Sequence, residues 1–450
     1  MQFQISREFI EKIENLVEQK NNKELLVQFE NMHHADIAET LEDLDLDDAT
    51  YVIKLLESDK TAEVLMELAD EDREKVLNNL SAKEIAEEIE EMDTDDAADI
   101  VGELSPEIKE LVIAHIEDEQ HAVDIVDLLR YDENSAGGLM AKELVKVNEN
   151  WSVTGCMSEM RDQAENVTRV HSIYVVDNKN KLKGRLSLKD LITAPSTAQI
   201  SDVYINKVDY VSVDTKGEEV ARIMQKYDLE AIPVVNEMGK LVGRITVDDI
   251  LDFIKEEAEK DYQMAAGISE GVEADSGIWH LMRARLPWLI LALLGGFISV
   301  NVLETFDGAM EKHGELFFFV PLIAAMAGNV GVQSSAIVLQ GLANNSLRGS
   351  LLNRLLKEVL LSLINGAVLA ALLILGGVFL LNLGFDFGLT VAISLISVII
   401  TASLIGTFVP IILHKQGIDP AMATGPFITT SNDICGILIY FSIAKLILGF

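Results

Sequence analysis

The residue of this chain best placed to do chemistry is a carboxylate inside an apolar run. Asp433 lies in GPFITTSNDICGILIY, next to Thr429, Thr430, Ser431 and Asn432. A charge deep in hydrocarbon costs a few kcal/mol, so it persists where it meets water, a cation or a partner. We read Asp433 as facing a cation path; the plainer alternative is a hydrogen-bonded contact within a helix bundle. No other acidic residue is expected well inside an apolar segment. One carboxylate per chain is sparse for a divalent ion, so two related by a twofold axis, in a homodimer, are expected to share one.

A second polar interruption occurs in PLIAAMAGNVGVQSSAIVLQG, where Gly328, Asn329, Gly331 and Gln333 break an apolar helix. Glycines there permit close backbone approach or local unwinding that frees carbonyls to line an aqueous path; helix packing through small residues is the alternative. Soft-metal chemistry has no support, because Cys156 and Cys435 lack partners at ligand spacing. His33 and His34 are adjacent and point apart on a helix, as surface histidines do. A GxxxxGK[ST] phosphate loop is missing, which argues against an ATP-driven pump. No catalytic constellation is present, so the chain is not expected to be an enzyme.

Five apolar segments long enough to span a bilayer must position these residues, approximately 286–305, 316–340, 356–382, 388–413 and 424–448. Arg283 and Arg285, then Arg348, Arg354 and Lys357, then His414 and Lys415 mark one side as cytoplasmic. Loops carrying Glu304, Asp307, Glu311 and Glu315, or Asp386, face outward. The soluble part is therefore expected in the cytoplasm, the C-terminus outside, and the chain in the inner membrane among lipid. MQFQISREFIEKIENL lacks a signal-peptide core, so no cleavage is expected.

Charge is divided unevenly. The net charge is −37, yet residues 281–450 hold 8 acidic and 8 basic side chains. Residues 1–130 hold 38 acidic against 11 basic. Such crowding destabilises a compact domain unless cations compensate it, and it excludes a nucleic-acid partner. From Ser6 to Arg130 the apolar residues recur at helical spacing, with a capping box at Ser81 and Glu84 and a first-turn proline after Ser105. DIAETLEDLDLDDATYVIKLL from Asp36 repeats as EIAEEIEEMDTDDAADIVGEL from Glu84, which suggests stacked helical hairpins in a superhelix.

The next part repeats as well. IYVVDNKNKLKGRLSLKDLI from Ile173 matches IPVVNEMGKLVGRITVDDIL from Ile232, each a strand, turn, strand and helix, ending near Asp190 and Asp249. The two copies resemble a tandem pair of CBS domains, a resemblance that implies a regulatory sensor of adenine nucleotides or ions. The expected division is an acidic helical domain at 1–131, CBS domains at 132–200 and 201–258, a connecting helix at 259–281 with a break near Gly267 to Gly277, and a five-helix membrane domain at 282–450.

This order of parts, with GNVGVQSS and SNDICG in the membrane, resembles the MgtE family of magnesium channels over nearly the whole chain. The resemblance implies that Asp433 holds a hydrated Mg2+ on the axis of a homodimer, with Gly328 and Asn329 lining the pore. Magnesium sheds water reluctantly, which suits few carboxylates gripping bound waters. The family commonly has Asn where this chain has Val332 and Gly425, which puts a further hydrated-ion site in question. The resemblance also carries regulatory Mg2+ ligands to Glu63, Asp95, Asp99, Gly138 through its carbonyl, Asp228, Asp249 and Asp252, and on a looser match to Glu218, Glu257, Asp261 and Asp419. It leaves open ATP near Tyr174, Lys189 and Asp190. The expected function is a magnesium-selective channel that cytoplasmic Mg2+ closes by bridging acidic surfaces. The alternatives are a proton-coupled divalent cation transporter and a non-conducting CBS nucleotide receptor.

Overall fold

Short acidic breaks between amphipathic runs make the N-terminal part all helical. The computed structural model describes residues 5–164, 167, 169–269, 271–272, 276–344, 346–347, 349–381, 384–423 and 425–450; of the cations that set orientation, Arg348 lies outside them. Ten helices come first: α1 (Arg7–Glu18), α2 (Asn22–Phe29), α3 (His34–Glu42), α4 (Leu46–Ile53), α5 (Ser58–Glu67), α6 (Asp70–Leu77), α7 (Ala82–Ile89), α8 (Thr94–Glu103), α9 (Pro106–His115) and α10 (Glu119–Leu128). The sequence repeat is a structural one, since α3 to α6 recur as α7 to α10 at a constant offset of about four helices. Ser81 Oγ accepts from the Glu84 N–H while Glu84 Oε2 accepts from the Ser81 N–H at 2.7 Å, which completes the expected capping box. Pro106 opens α9.

Two three-stranded sheets follow. The first contains β1 (Val145–Asn148), β2 (Ile173–Val176) and β3 (Leu182–Leu186), with helices α11 (Val153–Ala164) and α12 (Leu188–Thr193). The second contains β4 (Val211–Ser212), α13 (Gly217–Tyr227), β5 (Ala231–Val235), β6 (Leu241–Thr246) and α14 (Val247–Ala266). In each sheet the first pair is parallel and the second antiparallel, and both hairpins shift register at the matching valines, Val175/Val176 and Val234/Val235. Their turns meet where Lys181 bridges Lys240, with the Leu241 N–H donating to the Asn180 carbonyl and the Leu182 N–H to that of Gly239. Asn180 and Gly239 occupy the same turn position at φ 61° and 73°, a left-handed conformation that Asn and Gly tolerate best.

The chain divides into two compact units, 1–255 and 256–450, so the boundary falls inside α14. Helix α14 ends at Ala266, and Gly267 breaks it at φ 81°; the expected break is there, and part of it lies outside the described residues. Of the expected connecting helix, residues 259–266 belong to α14 and 278–281 to the first turn of the next helix.

The second unit continues with α15 (Ile278–Glu304), α16 (Asp307–His313), α17 (Val320–Ala343), α18 (Leu351–Leu381), α19 (Phe385–Lys415) and α20 (Pro426–Leu448). The five long apolar helices, all but α16, match the five expected spans. Helix α19 is central, packing on α17, α18 and α20 around Ile323, Ala327, Leu395, Val398, Tyr440 and Phe441. Two polar contacts tie this bundle together: Tyr440 donates to the Leu316 carbonyl at 2.9 Å, and Ser362 and Ser403 share a hydrogen bond at 2.6 Å.

Candidate cation sites

In the membrane unit, Asp433 stands in the second turn of α20 and opens on a cleft of about 400 Å³. Small residues and hydroxyls line the cleft: Gly295, Gly296 and Ser299 from α15, Ala266 from the end of α14, and Thr429 and Thr430 from α20. Gly295 lets α15 approach Thr430, because a Cβ there would overlap the threonine methyl. A Cβ on Gly328 would lie 3.8 Å from Asp433 Oδ1, so α17 passes beside the carboxylate with its backbone uncovered. Asn329 and Val332 are exposed on the outer surface of the unit. Helix α17 is continuous through Gly328 and Gly331, so these glycines serve close approach and not unwinding. Gly425 has φ 50°, and a side chain there would run into the Ala265 carbonyl. The site that the resemblance places at Val332 and Gly425 therefore has neither Asn, and at 425 no room for one.

Sequence reasoning missed one membrane carboxylate. Helix α18 begins five residues earlier than the expected span, so Glu358 falls two turns inside it and accepts a hydrogen bond from Ser334 of α17 at 2.7 Å. The signal was its spacing from Arg354 and Lys357, which drew Glu358 towards the polar end of the segment.

In the cytoplasmic unit, Asp95 is buried at the start of α8, and carboxylate oxygens of Asp93, Asp95 and Glu143 lie within 4.8 Å of one another. Neither Asp93 nor Glu143 was expected. Glu143 is fixed by the Thr94 N–H at 3.2 Å and the Thr94 hydroxyl at 2.8 Å, and Arg244 reaches Asp93 at 3.3 Å. Burial, then the charges of Asp96, Asp249, Asp93 and Glu143, push the Asp95 carboxyl well above its ordinary value. Burial and Asp249 raise Asp96 to about 7, and burial with Glu143 raises Asp93. Asp249 is held by the Thr246 N–H at 2.9 Å and hydroxyl at 2.5 Å. So many carboxylates around one guanidinium form a place where a hard cation relieves repulsion.

The remaining expected ligands are spread out. Glu63 accepts from His34 at 2.7 Å, and Glu67 holds the other ring nitrogen at 3.3 Å. Gly138 closes the turn from Ser135, in a loop whose Ala136 and Gly137 N–H groups donate to Thr215 and Val213 just ahead of α13. Glu218 is exposed in the first turn of α13, and Asp228 is its left-handed C-cap. Asp252 lies exposed on α14, and partial desolvation of its carboxylate together with the charge of Asp249 raises it above its ordinary value. Asp99 lies on the exposed face of α8. In the second unit, Lys260 pairs with Glu257 at 2.9 Å, and Glu257, Asp419 and Asp261 hold its ammonium above the usual lysine range. That group already surrounds a cation. At the expected nucleotide position, Tyr174 is buried and Asp190 accepts from Ser187 at 2.6 Å, while Lys189 is exposed.

Comparison with known families accounts for this arrangement. The model of the divalent cation transporter MgtE matches residues 320–443, the MgtE intracellular N domain matches 32–134, and the CBS domain matches 136–197 and 200–256. A magnesium transporter MgtE of Thermus thermophilus is 37% identical over 340 residues, which cover 74% of each chain. The chain belongs to the MgtE family.

Another MgtE relative, the magnesium transporter of Bacillus subtilis, is 36% identical over 72% of each chain. A crystal structure of the cytosolic domain of the Mg2+ channel MgtE in complex with ATP is similar at 35% identity and a TM-score of 0.51, covering 54% of this chain and 99% of that one. The chain is thus a homologue of magnesium transporters, a multi-pass membrane protein of the MgtE type with an intracellular N-terminal domain.

Proposed function

We infer that this MgtE chain is a magnesium-selective channel that works as a homodimer and is closed by cytoplasmic Mg2+. The observation that carries it is Asp433, a carboxylate in a membrane helix that opens on a cleft lined by glycines and hydroxyls. Two such carboxylates around a twofold axis would grip a magnesium ion through its retained waters. A second copy has a fitting surface. Leu188 and Ile192 on α12, and Val247 and Leu251 at the matching positions of α14, leave equivalent apolar side chains exposed.

Regulation is read from the crowding at Asp93, Asp95, Asp96, Glu143 and Asp249. Ions bound there favour one packing of the cytoplasmic domains, and α14 carries that packing towards the membrane. Their loss restores repulsion and opens the pore, because magnesium has higher affinity for the closed state. The soluble domains then lie in the cytoplasm, the membrane is the inner one, and the C-terminus is external. ATP is proposed near Tyr174, Lys189 and Asp190, on the likeness to the ATP-bound relative.

Bilayer recording of the purified protein tests the reading. Single-channel magnesium currents are expected, lost in Asp433→Ala. Asp95→Ala with Asp249→Ala should keep channels open at internal Mg2+ that closes the parent. Saturable flux with a steep pH dependence and no unitary currents would replace the channel by a proton-coupled carrier.

A further inference from the structure

The end of α14 is folded back on itself and fastened to α15. Gly267 closes the helix in a Schellman motif, its N–H donating to the Met264 carbonyl at 3.0 Å and the Ile268 N–H to that of Gln263 at 2.9 Å. The Gln263 amide holds the returning chain, donating to the Val272 carbonyl at 2.8 Å and accepting from the Val272 N–H at 3.1 Å. Between these ties Ser269 reaches α15: its N–H donates to the Ala284 carbonyl at 3.0 Å and its hydroxyl to the same oxygen at 2.9 Å.

Ala284 is fully buried, so its carbonyl depends on protein donors. It lies three residues before Pro287, which has no N–H to offer the Arg283 carbonyl and whose ring crowds it. Prolines are tolerated in membrane helices where neighbouring groups, serine among them, serve the carbonyls of the opened turn. Ser269 serves this one. The same turn is where α15 bends most readily.

Beyond the proline, Gly295, Gly296 and Ser299 form the α15 wall of the Asp433 cleft, and Gly295 stands roughly 12 Å past Pro287 at 1.5 Å per residue. The facing wall is anchored. Asn432 of α20 is 1% exposed and stands against Gly331 of α17, inside the bundle centred on α19. Helix α15 packs chiefly on α20 and is the least buried of the five long helices. A small turn about Pro287 therefore moves one wall of the cleft and leaves the bundle in place. We propose that Ser269 and Gln263 form a strap that fastens α15 to the end of α14, with Pro287 as its hinge, so that a displacement of α14 swings the cleft wall. The strap rests on the reading of α14 as the carrier of cytoplasmic packing, and it names the route. Both are positioning residues, since neither is among the residues that line the cleft.

Thiol accessibility of the cleft in the detergent-purified full chain tests this. In a Cys435→Ser parent, Ser299→Cys is labelled by a water-soluble methanethiosulfonate in EDTA and in saturating Mg2+, and calorimetry follows Mg2+ binding. Labelling of the parent should slow about tenfold in Mg2+, and Ser269→Ala with Gln263→Leu should reduce that ratio to about threefold or less while the chain still binds Mg2+. Ser269→Thr keeps the hydroxyl at an exposed position and should keep the parent ratio. Pro287→Ala removes the hinge without weakening the helix and should lower the ratio with no loss of Tm. An unchanged ratio in the double variant overturns the strap, and an unchanged ratio in Pro287→Ala overturns the hinge. Lost Mg2+ binding in the double variant, or a threonine variant as impaired as the double one, also overturns it, because the residues then hold the fold and not the linkage. A parent labelled equally in both conditions overturns it whether or not Mg2+ closes the currents. Currents are recorded separately: a parent that conducts nothing defeats the channel reading, while the labelling ratio still decides the strap.

Discussion

At the scale of single residues, the acidic cluster of the cytoplasmic unit is under electrostatic tension. Asp96 rises to about 7 from an ordinary 3.8, chiefly by burial and then by Asp249. Between those values the folded state binds more protons than the unfolded one, so stability falls as pH rises across that window. In EDTA the cytoplasmic part should melt at progressively lower temperature from pH 5 to pH 8, followed by Trp151 fluorescence, and saturating Mg2+ should flatten the trend. Magnesium competes with the same protons. Calorimetric titration should therefore give weaker binding at pH 6 than at pH 8, with protons released on binding. A pH-independent affinity would remove this cluster from the regulatory sites. Asp93 and Glu143 were not legible in the sequence, because nothing local distinguishes them from the other acidic side chains of the first 150 residues. Asp93 adjoins Asp95 as the N-cap of α8, but only packing of α8 against the segment ahead of β1 brings Glu143 to them.

At the scale of elements, local chemistry set most boundaries. The capping box at Ser81 holds Glu84 at about 2, first through the Ser81 N–H and then through Lys54. Ser81→Ala should cost about 1 kcal/mol of stability, measured by denaturant unfolding. Membrane helices are bounded less sharply. The length of α18 beyond its apolar run is what put Glu358 inside the bundle, since hydropathy alone stops a span where charges begin. Gly425 is an element boundary with two constraints at once, a positive φ and the Ala265 carbonyl beside it. Gly425→Ala should lower the Tm of the full chain by several degrees, because both backbone strain and overlap oppose it. An unchanged Tm would mean that the end of α14 moves away from α20 without loss.

At the scale of the whole molecule, the repeated CBS fold exposes the same apolar stripe twice. Ile192→Glu with Leu251→Glu should shift the detergent-solubilised chain from dimer to monomer in native mass spectrometry, since like charges would face each other across a twofold axis. A dimer unaffected by both changes would place the interface on the membrane helices alone.

The sequence by itself determined the kinds of element, the two internal repeats, the five spans and the position of Asp433 within the last of them. Periodicity, turn residues and charge act over a few residues, so they are readable along the chain. Which carboxylates meet was decided by tertiary structure, as was the continuity of α17 through its glycines and the inward turn of Asn432. Those outcomes depend on contacts between residues tens to hundreds apart, where burial and neighbouring charge set each group's environment and no local pattern records them.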